Sequence, residues 1–196
     1  MDERDLDPDP IVALEAWLRD AEGVSARPDA MTLATATADG RPSARIVLLR
    51  GLDGRGLAFF TNRASRKGRE LEENPRSALV LHWPELGRQV RVEGSVERVD
   101  QEESREYWET RPLRSRIAAW ASPQSRPLTD RAELDALYAA AEARFGNDDV
   151  PLPDFWGGYR VVPDAIEFWE HQDDRLHDRV RYERTESGWR RERLAP

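Results

Sequence analysis

The sequence predicts a mainly β fold, an antiparallel barrel with helices packed outside it, and three observations carry that expectation. Strand-like runs outnumber helical ones, most of them follow one another through short turns, and several alternate apolar with charged side chains. Alternation of that kind belongs to antiparallel strands with one wet face, whereas a parallel nucleotide-binding sheet would interleave its strands with helices.

Taken in order, Ile11, Leu14, Trp17, Leu18 and Ala21 recur at helical spacing and end near Gly23, which predicts a covering helix within an N-terminal segment, residues 1–30. From Met31 the period changes. Strands are predicted over Met31–Thr37, Ser43–Arg50 and Leu57–Thr61, with Asp39-Gly40 and Asp53-Gly54 as turns. Ser65 caps a short helix through Leu71, which Asn74-Pro75 stops, and a strand follows over Ala78–His82. Val90, Val92 and Val96 alternate with Arg91, Glu93 and Glu97 as in a half-buried strand, with Gly94 marking a bulge. Asp100 with Glu103, and Asp130 with Glu133, are capping-box pairs that open helices running to about Thr110 and Gly146. The second carries Leu134, Leu137, Tyr138, Ala141 and Phe145 on one face. The last strands fall at Gly158–Val162, Ala165–Trp169, Val180–Arg184 and Trp189–Leu194. With 196 residues and no linker, residues 31–196 read as one domain.

Composition narrows the chemistry. A net charge of −8 argues against a nucleic-acid binder, because neutralising phosphates needs a basic face. No apolar run is long enough to span a bilayer, and the acidic, proline-containing Met1–Pro10 lacks the features of a secretory signal, so a cytoplasmic location is expected. Zero cysteines and three histidines (His82, His171, His177) leave little for a metal centre, and none is expected. Organic cofactor chemistry is the open route.

Six segments hold residues suited to it. Arg45-Ile-Val-Leu-Leu-Arg50 is an apolar strand with a cation at each end, and Thr61-Asn-Arg-Ala-Ser-Arg-Lys67 runs from a strand into a helix start. Free amides there, together with Arg66 and Lys67, suit a phosphate, although a solvated basic turn reads the same way. Gln89 and the Gln124-Ser125 pair offer neutral donors and acceptors of the kind a flavin edge needs, as do many polar loops. Tyr107, Arg111 and Ser115 recur every four residues across a helix end and the turn after it, a spacing that serves either one phosphate or an ordinary capped terminus. Arg175, His177 and Arg179 would share one side of an extended strand, where they either face a substrate or pair with Asp173, Asp174 and Asp178.

In order and spacing, these segments resemble the pyridoxamine 5'-phosphate oxidase family. The resemblance runs from about Met31 to Pro196, takes in Arg175-Leu-His-Asp-Arg179 whole, and adds Trp156-Gly-Gly-Tyr159, Glu167-Phe-Trp169 and the terminal Arg193-Leu-Ala-Pro196 to the segments above. It implies an FMN-binding split β-barrel that forms a homodimer, with two FMN sites between subunits. It places Arg45, Arg50, Phe60, Thr61, Arg66, Lys67, Gln89, Gln124, Ser125, Trp169 and Arg179 around FMN. It assigns Tyr107, Arg111 and Ser115, with Arg50, to the substrate phosphate, and Arg175 and His177 to the pyridine ring as catalytic residues. The implied reaction is oxidation of pyridoxamine 5'-phosphate and pyridoxine 5'-phosphate to pyridoxal 5'-phosphate, with O2 as acceptor and H2O2 as by-product. Two positions depart from the family pattern: Arg50 stands where Lys is usual, and Glu170-His171 where a Gln-Gly pair is usual. Two other readings compete. One is a related FMN oxidase acting on a phenazine precursor, and the other is a noncatalytic module that binds flavin or pyridoxal phosphate.

Overall fold

The computed structural model describes residues 1–146 and 149–196, which contain nine strands in one antiparallel sheet. They are β1 (Ala30–Ala36), β2 (Pro42–Leu48), β3 (Gly51–Asp53), β4 (Gly56–Asn62), β5 (Arg76–Trp83), β6 (Arg88–Arg98), β7 (Trp156–Glu170), β8 (Asp178–Thr185) and β9 (Gly188–Arg193). The order across the sheet is β2-β1-β5-β6-β7-β4-β3, with β8 and β9 added beside β7. Because β2 and β3 are consecutive in the chain yet stand at opposite ends of that order, the sheet must curl until its ends meet. Between β2 and β3 the Arg50 amide donates to the Ala58 carbonyl of β4 at 2.8 Å, extending the β3–β4 pairing.

Inside the curl, alternate residues of each strand form the core, among them Met31, Leu33, Leu57, Phe59, Leu79, Leu81, Val90, Val92, Val161 and Phe168. Helix α1 (Pro10–Glu22), capped by Asp9, lays Ile11, Leu14, Trp17 and Ala21 on this core, with Trp17 edge-on to Phe168 at 5.0 Å. A second apolar cluster lies outside the barrel, built from Trp108, Ile117, Phe145, Val150 and Trp156. It joins α3 (Gln101–Thr110), α4 (Leu113–Ala121) and α5 (Arg131–Phe145) to the start of β7. Asp100 and Asp130 cap α3 and α5 by accepting from the Glu103 and Glu133 amides, as their spacing predicts. On the predicted apolar face of α5, Phe145 is buried and Leu137 is exposed. No helix among the described residues is long and apolar enough to cross a membrane.

Three expectations need correction. The strands predicted at Gly158–Val162 and Ala165–Trp169 are one 15-residue strand, β7, whose register against β6 shifts between Glu93 and Gly94 so that Asp164 has no partner. Val162-Pro163-Asp164 reads as a break, but a proline is tolerated in a strand at a bulge. A Cβ on Gly94 would lie 2.1 Å from the Val162 carbonyl oxygen, so the bulge needs glycine. Second, Pro112 does not merely end a helix; it begins one, because its fixed φ and missing amide suit a helix N-terminus. Third, Arg175 is not on a strand. It closes a 3-10 turn in which Asp174 and Arg175 take positive φ values of 57° and 62°, and β8 begins only at Asp178. The predicted row of Arg175, His177 and Arg179 on one strand face is therefore absent.

Candidate functional site

Between the outer face of β2 and β4 and the α3–α4 corner lies a cavity of about 420 Å³. Arg50, Phe60, Thr61, Lys67, Tyr107, Arg111, Ser115 and Gln124 line it, so eight of the residues singled out in the sequence converge there from four separate segments. One wall is aromatic. Tyr107 stacks on Phe60 at 4.2 Å between centroids, and Phe60 stacks in turn on Trp156 at 5.6 Å.

At one end, α2 (Arg66–Glu73) begins with Ser65 as its cap and turns Lys67 inward. The Lys67 ammonium is buried and donates to Thr61 Oγ1 at 3.0 Å, Gln124 Oε1 at 3.1 Å and Ser65 Oγ at 3.3 Å, with no carboxylate partner among the described residues. Burial first, and the Arg45 charge second, pull its pKa down to about 8. Arg45 and Arg66 stand just behind the cavity. Both bind Glu70, Arg45 through Nη2 at 3.1 Å and Arg66 through Nε at 2.8 Å.

At the other end, the Arg111-Pro112 junction bends the chain from α3 into α4. Arg111 takes an extended ψ of 141°, as a residue before proline prefers. Ser115 consequently sits in the first turn of α4 rather than in a loop. The Arg111 guanidinium lies over Trp156 and Trp108, at 4.8 and 5.1 Å from their ring centroids, and donates from Nη2 to the Ser115 carbonyl at 3.0 Å. Its Nη1 is buried and has no hydrogen-bond partner among the described residues. Burial also draws the Arg111 pKa below its ordinary value. A buried cationic donor left unpaired is costly unless an anion completes it.

The remaining predicted residues do not line this cavity. Gln89, Trp169 and Arg179 are cross-strand neighbours on β6, β7 and β8, so they form a separate lateral row. His177 packs on Trp169 at 4.7 Å between rings, and its Nδ1 accepts from the Gln172 amide at 3.2 Å. Arg179 is engaged within the chain, donating through Nε and Nη2 to Glu167 at 2.9 and 3.1 Å. Arg175 is exposed in its turn, and Ser125, next to Gln124, is exposed with a φ of 71°. One chain thus divides the predicted residues into a cavity group and a sheet-row group.

Sequence reasoning missed the carboxylates that hold these cations. Glu70 anchors Arg45 and Arg66, Asp29 binds Arg50 at 2.7 Å, and Glu167 binds Arg179. Only Glu70 left a local signal, its four-residue spacing from Arg66 on a helix. Trp156, which closes the cavity, was noted only as part of a motif.

The chain matches two family descriptions: Pyridoxamine 5'-phosphate oxidase over residues 19–145, and Pyridoxine 5'-phosphate oxidase C-terminal dimerisation region over residues 156–196. Proteins named pyridoxine/pyridoxamine 5'-phosphate oxidase are 54% identical in Rubrobacter xylanophilus, covering 97% of this chain and 88% of that one, and 52% identical in Pseudomonas paraeruginosa, covering 96% and 89%. Among solved structures, PhzG from Burkholderia lata 383, in complex with tetrahydrophenazine-1-carboxylic acid, superposes with a TM-score of 0.92 at 38% identity, covering 98% of this chain and 95% of that one. A pyridoxamine 5'-phosphate oxidase-related, FMN binding protein from Nostoc punctiforme shares the fold, with a TM-score of 0.75 at 18% identity and coverage of 93% and 95%.

Proposed function

The chain belongs to the pyridoxamine 5'-phosphate oxidase family, and we propose that it oxidises pyridoxamine 5'-phosphate and pyridoxine 5'-phosphate to pyridoxal 5'-phosphate, using FMN and passing the electrons to O2. The observation that carries this reading is the buried Nη1 of Arg111, unpaired among the described residues and beside Tyr107 and Ser115 in the cavity that also holds Lys67. Two anion-seeking ends joined by an aromatic wall suit two phosphorylated aromatic molecules placed side by side.

The donor set fits FMN. Lys67 is a buried ammonium bonded only to neutral oxygens, so an incoming phosphate meets a charge that no carboxylate bonded to it has neutralised. Lys67, Thr61, Arg66, Arg45 and Gln124 would hold the cofactor from this chain, with Phe60 against it and Arg50 and Ser125 alongside. Gln89, Trp169 and Arg179 would come from a second copy. Support for that assignment is that Trp169, Arg175, His177 and Arg179 all fall within the matched dimerisation region and none of them lines this chain's own cavity. A homodimer with shared sites follows. When bound, FMN supplies the two-electron acceptor that no side chain here provides.

The chain's own residues then bind and orient. Tyr107, Arg111 and Ser115 grip the substrate phosphate, fixing the distal end of the ring system, and Arg50, held by Asp29, flanks it. Stacking of Phe60 on Tyr107 and Trp156 keeps the wall flat and excludes water from one face. Because His177 Nδ1 accepts a backbone N–H, the neutral ring keeps its proton on Nε2, where it can donate to a substituent of the substrate ring. Arg175 stands exposed in the turn just before His177 and supplies a second donor.

The curated relatives that share the vitamin B6 name are 54% and 52% identical to this chain, against 38% for the phenazine-binding neighbour, which favours the phosphorylated pyridine substrate. Adding pyridoxamine 5'-phosphate anaerobically to the purified yellow protein should bleach its flavin absorbance. Unphosphorylated pyridoxamine should bleach it at least about 100-fold more slowly, given the loss of two or more charge-assisted hydrogen bonds. A flavin that stays oxidised with both B6 phosphates would dismiss the reading.

A further inference from the structure

Glu70 is an anomaly in a site built to bind anions. Its carboxylate is almost fully buried, with a side chain 4% exposed, yet it lies on the helix whose first turn carries Lys67. It accepts from Thr35 Oγ1 at 2.5 Å and Ser43 Oγ at 2.6 Å, and it also receives Arg45 Nη2 and Arg66 Nε at 3.1 and 2.8 Å. Arg45 in turn donates to Thr35 Oγ1 at 2.5 Å, so hydroxyls and guanidinium form a closed network around one carboxylate.

We infer that Glu70 is a positioning residue for phosphate recognition: it holds Arg45 and Arg66 side by side behind Lys67, so that three cations converge before any anion arrives. The inference rests on the FMN reading above and deepens it. Without a counter-charge, Arg45 and Arg66 would repel each other and swing out to water, since Arg66 is already 58% exposed and Glu70 is its only ion-pair partner among the described residues. Ser43 and Thr35 give the carboxylate its remaining bonds, so its burial is compensated and its position determined by β1 and β2 rather than by the cations it holds. Burial alone would raise the Glu70 pKa, but hydrogen bonds from Ser43, Thr35, Arg66 and Arg45 outweigh it and bring the value down to about 2, so the group stays charged at every working pH. The charged groups that act on Lys67 are Arg45, which lowers its proton affinity, and Glu70, which raises it. Glu70 therefore also keeps Lys67 protonated.

The cost of placing an anion near a phosphate site is smaller than the gain from fixed cations, because the Glu70 charge is spent on two guanidiniums and does not bond to Lys67. The test compares FMN with riboflavin, which lacks the phosphate, on apoprotein of the wild-type chain and Glu70→Gln. Flavin fluorescence quenching supplies the binding constants. In Glu70→Gln, FMN should bind about tenfold more weakly while riboflavin changes less than about twofold, and the fall of FMN affinity with rising pH should begin at lower pH than in the wild type. Equal or tighter FMN binding by the folded variant would overturn the proposal. So would a parallel loss for both flavins, or failure of the variant to fold, since an amide of the same shape keeps most of the network and either result would assign Glu70 to the fold alone. If wild-type apoprotein itself fails to prefer FMN over riboflavin, it is the FMN reading that falls.

Discussion

Lys67 and Arg111 are the two residues whose charges the cavity controls most directly, and each predicts a separate behaviour. With its folded pKa lowered to about 8 from the ordinary 10.5, Lys67 disfavours its proton in the unliganded protein, an unfavourable contribution to stability below pH 8 that is relieved as pH rises toward 10.5. Phosphate binding needs the protonated form, so FMN affinity should be flat below about pH 8 and decline above it, while riboflavin affinity stays level; titrations at several pH values read this directly. Arg111→Gln removes the unpaired buried donor at the other end. The KM for pyridoxamine 5'-phosphate should rise roughly 30- to 100-fold, the worth of a charge-assisted pair, with the FMN dissociation constant unchanged within about twofold. Weakening of both ligands alike would place Arg111 in the fold rather than at the substrate.

At the scale of elements, two junctions position the site, and both depend on backbone chemistry. Gly94 permits the bulge that lets β7 serve β4 with one half and β8 with the other. Gly94→Ala forces a Cβ against the Val162 carbonyl and should cost about 2 kcal/mol or more, read as a lowered midpoint in thermal or urea unfolding. The Arg111-Pro112 corner is the second junction. Its upstream helix is held by the Asp100 cap, so Asp100→Ala should cost about 1 kcal/mol while leaving FMN binding intact. The caps at Ser65, Asp100 and Asp130, the glycine at the bulge and the alternation of β6 were legible because each is a local rule. The helix after Pro112 and the continuity of β7 were not, because proline permits either a break or a start and only packing against Trp156 and β6 selects between them.

For the whole molecule, the proposal that two copies share their sites predicts quantitatively how the cavity group meets the sheet-row group. At pyridoxamine 5'-phosphate concentrations no higher than the wild-type KM, Arg111→Gln and His177→Asn should each be nearly inactive alone. Mixing the two under conditions that exchange subunits should restore about a quarter of wild-type activity, because half the dimers are mixed and each mixed dimer has one intact site. No recovery on mixing would mean that each site is built within one chain.

The antiparallel β class, the capped helix starts at Ser65, Asp100 and Asp130, the family and the residue types at the site are legible in the sequence alone, since periodicity, capping and turn chemistry act over a few neighbours and motifs carry their order along the chain. The tertiary structure decided which of those residues share a cavity. It brought Arg50, Lys67, Arg111 and Gln124 to one space, set Gln89, Trp169 and Arg179 apart in a row across β6, β7 and β8, and supplied Glu70, Asp29 and Glu167 as their anchors. Those outcomes depend on how a curled sheet closes and where its bulge falls, and closure is a property of long-range pairing that no short stretch of chain records.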